Sequence, residues 1–300
     1  LEFALPIRVR WDIDSLDATG PVDRIADRIR EIEPLFVELS VHGPAGLRHL
    51  PALLDAFGGG FTQRLLALGP FPGAAEAAAA SAGVERLWRI AGPSDLDGLP
   101  AGVSEASFVP DAGAIDLLPA VLEAVAGSRA AVLHLPNINA VRASAQGLTV
   151  PIPTPAQYAA LERRLSASPI PLAGKRLVVH DYFLWRVLAR LHPESLGERL
   201  EFGGCQAGSA LAYVDPAGVL YPCDSLPIPL GNLAGDRSFQ QIWDSAARVG
   251  AVDAIGKMPE PCLRCEVLPA CRAGCRGMSL LSAGTLDAPD PACPGPARPR

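Results

Sequence analysis

Apolar and polar residues alternate over positions 7–13, with Ile7, Val9, Trp11 and Ile13 on one parity and Arg8, Arg10 and Asp12 on the other, which is the period-two signal of a strand. The period then lengthens to that of a helix over 22–31, where Pro21 suits the entry because a helix's first turn needs no N–H from proline. A second strand is predicted over 36–41, ended by His42-Gly43-Pro44, and a second helix over 47–57. The pattern continues with strands at 61–68, 84–90, 105–109, 130–135 and 176–180, and with helices at 74–82, 115–125 and 155–166. Short apolar runs alternating with amphipathic stretches are the mark of βα units around a parallel sheet. Six or seven strands are too few for an eight-unit barrel. The expected α/β fold over residues 1–202 is therefore a partial or open (β/α)6-like barrel, with a doubly wound sheet as the alternative. Pro151, Pro153 and Pro155 exclude both helix interior and ladder pairing, so 141–155 reads as a long loop.

Beyond residue 200 the pattern changes. Positions 212–214 and 219–221 are short apolar strands joined by Asp215-Pro216-Ala217-Gly218, a β-hairpin with a tight turn. Phe239, Ile242, Trp243 and Ala246 share one face of a helix expected over 238–249. Gly, Pro and Cys become dense, so residues 203–294 are expected to form a small cysteine-rich α+β domain, followed by a disordered Pro-rich tail at 295–300.

Composition narrows the functional class. Hydrophobic residues at 49% against charged residues at 19% supply enough apolar surface for a core. A net charge of −6 with a pI near 5.4 argues against a nucleic-acid partner, whose surface is normally basic. No stretch reaches the ~18 apolar residues of a membrane span, and residues 1–10 are too short and too charged for a signal peptide. A cytoplasmic protein without membrane contact is expected.

The cysteines carry the chemistry. All seven, Cys205, Cys223, Cys262, Cys265, Cys271, Cys275 and Cys293, lie beyond residue 204. An odd number in a protein expected to sit in a reducing compartment fits a disulfide framework poorly, so metal ligation is the better reading. Cys262 and Cys265, two residues apart, can reach neighbouring corners of one iron–sulfur cluster. Cys271 follows after five residues and Cys275 after three, and a cysteine at the latter spacing ligates the other cluster in two-cluster ferredoxins. Iron–sulfur is favoured over a zinc ribbon, which would hold the segment folded without a redox role.

The run Cys205-x12-Gly218-x4-Cys223, then Cys262-x2-Cys265-x5-Cys271-x3-Cys275, then Cys293 resembles the seven-cysteine signature of the SPASM domain at the C-terminus of radical SAM peptide-modifying enzymes. Val214-Asp215-Pro216, Tyr221-Pro222-Cys223, Leu230-Gly231-Asn232-Leu233 and Phe239 to Trp243 match it as well. The resemblance covers about residues 203–294 and implies two auxiliary [4Fe–4S] clusters. Cys205, Cys223 and Cys275 look like ligands of the first, whose fourth position is open or filled by another group. Cys262, Cys265, Cys271 and Cys293 look like the complete set of the second. In the family such clusters are proposed to pass electrons or to bind a peptide thiolate.

Residues 1–202 resemble a degenerate radical SAM domain. A radical SAM enzyme carries Cys-x3-Cys-x2-Cys after its first strand. Here Asp14-Ser15-Leu16-Asp17-Ala18-Thr19-Gly20 stands in that place, without cysteine. His42-Gly43-Pro44-Ala45-Gly46-Leu47 stands where the family has a Gly-Gly-Glu-Pro methionine-binding turn, and the Glu is missing. The resemblance implies a chain that does not bind S-adenosylmethionine or generate a radical and has no catalytic residue of its own. Its expected role is that of a SPASM partner protein in a GeoRSP-type system, acting with a radical SAM maturase or its precursor peptide. The alternatives are an autonomous enzyme using an open-site cluster as a Lewis acid, and a scaffold stapled by zinc or clusters.

Other candidates receive ordinary readings. His42, His134 and His180 stand at predicted strand ends, where barrels place active sites, yet isolated histidines are more often structural. Asp12 and Asp14 read as solvated charges, Asn137 and Asn139 as turn residues, and Gly58-Gly59-Gly60 as a flexible connection rather than a phosphate cradle. Trp185, with Leu184, Val187 and Leu188, reads as core or interface packing.

Overall fold

A computed structural model describes residues 4–14, 21–41, 44–58, 64–70, 79–80, 82–196 and 205–295. The expected N-terminal part of the 61–68 strand, most of the 74–82 helix, residues 15–20, His42-Gly43, Gly59-Gly60 and the tail from 296 lie outside the described residues. The strands are β1 (Arg8–Asp12), β2 (Phe36–Ser40), β3 (Arg64–Gly69), β4 (Glu85–Arg89), β5 (Glu105–Ser107), β6 (Val132–Leu135), β7 (Arg176–Val179), β8 (Leu211–Val214), β9 (Val219–Tyr221) and β10 (Gly231–Asn232). Seven of them precede residue 200, as the alternation predicts.

The chain packs as two compact units, residues 1–87 with 206–254 and residues 88–205 with 255–300. This division follows packing and does not coincide with the change of composition near residue 203. Its cause is β8, which pairs in parallel with β1 through Arg8↔Leu211 to Trp11↔Val214 and so ties the hairpin to the N-terminal strands.

In the first unit the order is β10-β9-β8-β1-β2-β3, parallel from β8 to β3 and antiparallel in the β8–β10 meander. β1 is therefore flanked on both sides. Val9, Trp11 and Ile13 turn into a core with Val37 and Leu39 of β2, and the helix Val22–Arg30 buries Val22, Ile25, Ala26 and Ile29 in it. Each fully buried Ile or Leu there contributes roughly 1.5–3 kcal/mol. The opposite parity of β1 meets carboxylates: Arg10 pairs with Glu38 at 2.7 Å and with Asp224. Asp12 and Asp14 are 1% and 5% exposed, which corrects their reading as solvated charges. The reason is that the faces of a parallel sheet are covered, so a polar side chain there meets protein partners rather than water. Asp12 Oδ1 accepts from the Asp14 N–H at 3.0 Å, and the Tyr213 hydroxyl donates to Asp12 Oδ2 at 3.3 Å.

In the second unit β5, β6 and β7 pair in parallel. The helices Leu118–Gly127, Pro155–Ala167 and Tyr182–Leu191 supply its core, with Leu118, Val121, Leu122, Leu161, Leu184 and Leu188 at 0–1% exposure. Two of the unit's helices depart from expectation. Ala140–Ala145 is a helix where a loop was expected from 141, because the Asn139 side chain accepts from the Arg142 N–H at 2.9 Å and starts it. Tyr182–Leu191, which contains the apolar cluster around Trp185, is started by Asp181, whose Oδ1 accepts from the Leu184 N–H at 2.6 Å.

The helix expected over 238–249 is two helices, Phe239–Trp243 and Ala246–Gly256. Ser238 and Gln241 form a reciprocal cap for the former. Ser245 opens the latter by accepting from the Arg248 N–H at 3.4 Å.

Candidate metal centre

The hairpin turn shows why the motif's Gly218 is glycine. Asp215 Oδ1 accepts the N–H groups of Ala217 and Val219 at 2.9 Å each, folding the turn over its own side chain. That fold puts Gly218 at φ +82°, and a Cβ there would sit 2.9 Å from Ile25 Cδ1. The Tyr221 hydroxyl donates to Asp215 Oδ2 at 3.2 Å, two residues before Cys223. Cys223 itself lies in a bridge with Leu226 and belongs to the first unit.

The other six cysteines belong to the second unit. The short turn Glu260–Cys262 is closed by the Cys262 N–H to Pro259 O at 2.9 Å, and Cys265 N–H returns to Cys262 O at 2.9 Å, so the two thiols leave one tight loop. The turn Leu268–Cys271 follows. After it, Arg272, Ala273 and Gly274 all have positive φ, at 52°, 65° and 72°. Three left-handed residues in succession close the turn, with the Gly274 N–H donating to Cys271 O at 2.9 Å, and the nearby N–H groups of Ala273 and Gly274 favour the Cys271 thiolate. The helix Arg276–Ala283 then starts at Cys275, and the N–H groups of its first turn, at Gly277 and Met278, favour the Cys275 thiolate. Thiolates are the acceptors such N–H groups favour.

Cys293 is brought to the same place by Asp290. One carboxylate oxygen accepts from the Cys275 N–H at 2.6 Å and the other from the Ala292 N–H at 2.8 Å, while the Cys293 N–H returns to Asp290 O at 2.9 Å. A single buried aspartate thus joins the 271–275 loop to the 290–293 turn. The outcome is a cavity of about 80 Å³ whose walls include Cys262, Cys265, Cys271 and Cys293 together with Phe183, Leu268 and Asp290. These four thiols are the set that spacing and resemblance put on one cluster. Cys275 is not in that wall; the charges it faces include Cys205 and Asp290.

Among the described residues, no group of three or more His, Cys, Asp or Glu side chains is placed to hold a single metal ion. The thiols line a cavity, the arrangement asked of ligands that each take a different corner of a multi-iron cluster. Burial pushes the Cys271 thiol up to about 12 and also raises Cys262 and Cys275. Thiols held protonated at neutral pH are poor nucleophiles, so this chemistry suits ligands that give up protons on binding metal. The donor set fits an iron–sulfur cluster.

The remaining candidates separate from this site. His134 Nε2 lies 2.7 Å from Glu105 Oε2, a pair between neighbouring strands. The His180 N–H continues the β6–β7 pairing by donating to Leu135 O at 3.0 Å. Sequence reasoning missed Asp290, Gly274 and Arg276. Only Asp290 had a local signal, since Asp-Pro-x-Cys favours a side chain that folds back on the backbone two residues on.

Residues 205–266 match the SPASM family, described as an iron–sulfur cluster-binding domain. The mycofactocin maturase MftC of Mycolicibacterium smegmatis is 28% identical over 134 residues, 40% of this chain and 30% of that protein. The MftC of Mycobacterium ulcerans is 30% identical over 155 residues, 47% and 36% of the two chains. The matches thus span about a third of the length of these relatives. Among solved structures, Streptococcus suis SuiB bound to its precursor peptide SuiA superposes with a TM-score of 0.67 at 12% identity, over 98% of this chain and 77% of that one. Native anSMEcpe with bound AdoMet gives 0.66 at 14% identity, over 95% and 93%. The chain carries a SPASM iron–sulfur domain on a radical SAM-like α/β fold with a parallel sheet, and it is related in sequence to radical SAM/SPASM maturases.

Proposed function

We propose that this protein is a non-catalytic iron–sulfur partner in a radical SAM peptide-maturation system, of the GeoRSP type, with residues 203–294 as its cluster-binding part. Cys262, Cys265, Cys271 and Cys293 would hold one [4Fe–4S] cluster, and Cys205, Cys223 and Cys275 would supply three ligands to a second. When bound, such clusters supply one-electron transfer or an open iron for a thiolate. The partner is a radical SAM maturase or its precursor peptide, met in the cytoplasm. The observation that carries the reading is a four-thiol cavity in a chain whose first 204 residues contain no cysteine. The segment after β1, where the resemblance would put the catalytic cluster's ligands, has none.

The chain's own residues do the binding work. Asp290 fixes the two loops that present Cys271, Cys275 and Cys293, and the N–H groups of residues 273, 274, 277 and 278 stabilise sulfur in its thiolate form. Anaerobic reconstitution tests the reading: about eight irons per chain are expected for two four-iron clusters. With S-adenosylmethionine and a reductant, the isolated protein should form no 5′-deoxyadenosine. Stoichiometric 5′-deoxyadenosine would overturn the non-catalytic assignment, and zinc in place of iron would overturn the cofactor.

A further inference from the structure

Arg276, the first residue of the helix after Cys275, is 1% exposed. Its Nη1 donates to Ala273 O at 3.4 Å and to Ala288 O at 3.1 Å. Its Nε and Nη2 are buried and have no hydrogen-bond partner among the described residues. A guanidinium keeps its charge under all ordinary conditions and has five N–H donors. One taken out of water with donors unmet calls for an anionic acceptor beside it. The groups near it that become anionic, the thiols on binding metal, are Cys262, Cys205, Asp290 and Cys275. Asp290 has both carboxylate oxygens engaged by the N–H groups of Cys275 and Ala292. No thiol accepts a hydrogen bond from Nε or Nη2, so what the guanidinium offers the sulfurs of both thiol sets is its charge rather than a bond.

We propose that Arg276 is a positioning residue for both sets: its guanidinium holds a fixed positive charge beside Cys262 of one and Cys205 and Cys275 of the other, and raises the potential at which the bound clusters accept an electron. The inference rests on the cluster-binding part of the function proposed above. With clusters bound, one electron taken from an external reductant such as dithionite would break no bond and would make a thiolate-ligated cluster one unit more negative. A nearby positive charge therefore stabilises the reduced form more than the oxidised one, and burial strengthens the effect. The competing account is a clamp that acts only through the Ala273 and Ala288 carbonyls.

The test is a redox titration with dithionite, followed by EPR, on the anaerobically reconstituted full chain. Iron content and cluster signals of the wild type check the cluster reading first, independently of Arg276. Arg276→Gln with wild-type iron content is expected to shift the one-electron equilibrium at least tenfold toward the oxidised form, about 59 mV lower in midpoint. Arg276→Lys should recover most of that shift, and Arg163→Gln, at an exposed arginine of the helix Pro155–Ala167, should leave the midpoints unchanged. A wild-type midpoint in Arg276→Gln would overturn the proposal. If Arg276→Gln holds no iron, Arg276→Lys decides: restored iron supports the role of charge, and equal loss of iron overturns it in favour of the clamp.

Discussion

Replacing Gly274 by alanine strikes the junction on which the four-thiol cavity depends. Gly274 has φ +72°, and a Cβ there would lie 2.5 Å from both Cβ and Oδ2 of Asp290. The Asp290 Cβ is anchored to its backbone, so the contact is relieved only by moving the 290–293 turn or the 271–275 loop. The left-handed conformation alone costs an alanine about 1–2 kcal/mol. Displacing Asp290 also gives up the 2.6 Å bond from the Cys275 N–H, and at about pH 8, where the carboxyl is mostly ionised, a hydrogen bond to a charged group is worth about 1.5–3 kcal/mol. Together the loss is on the order of 2.5–5 kcal/mol, or roughly 10 °C in the melting temperature of the second unit. Because the same turn delivers Cys293, iron content should fall by about the four atoms of one cluster. Thermal unfolding by circular dichroism and iron analysis after anaerobic reconstitution read the two effects. Gly284→Ala is the internal control: its φ is +69° with nothing within 4 Å of the added Cβ, so only the conformational cost applies. If Gly274→Ala loses no more stability than Gly284→Ala and keeps full iron, Asp290 does not hold the loop and the reasoning fails.

Burial, with Asp181 nearby, pushes the Asp290 carboxyl up to about 7. A carboxyl that holds its proton more tightly folded than unfolded makes stability fall as pH rises through that window. The metal-free chain should therefore lose stability between about pH 4 and pH 7 in urea titrations, and Asp290→Asn should flatten that slope. Trp243→Ala removes a side chain that is fully buried and paired with Phe239 at 5.9 Å between ring centroids. It should cost about 3–5 kcal/mol, read as a lower urea midpoint. Gly250→Ala, inside the helix Ala246–Gly256 with open space at the added Cβ, should raise stability by about 0.5–1 kcal/mol.

Period and punctuation expose elements that are buried on one side and hide those that depend on distant partners. The seven strands before residue 200 were legible because each has a short apolar run bounded by Gly, Pro or charge. The helix Tyr182–Leu191 was not: Tyr182, Phe183 and Leu184 are consecutive and all buried, which blurs the 3.6 period. Local rules also give no means of seeing that β8 would join β1, since parallel pairing between residues 200 positions apart leaves no trace in either segment. Asp12 and Asp14 were misjudged for the same reason. Their burial comes from distant partners such as Tyr213, whereas their own sequence shows only alternation.

The metal centre divides along a similar line. Ligand spacing reflects the geometry of the group to be held, so the cysteines carry their own signature, and four of them do meet at one cavity. The residues that hold those ligands in place obey no spacing. Asp-Pro-x-Cys hints at the turn Asp290 makes, but its hold on the other loop shows only once the Cys275 N–H is beside it, fifteen residues back in the chain. Arg276 is recognisable only once burial has removed its solvent. Gly274 is required because Asp290 occupies the space where its side chain would go. Each of these three is explained by another, and all three by the closing of one loop on one turn. A chain that kept all seven cysteines but altered these residues would still show the spacing, yet it should bind its clusters less firmly. Conversely, an otherwise ambiguous cysteine pattern accompanied by this aspartate, arginine and glycine would carry a stronger case for a working cluster site than spacing alone.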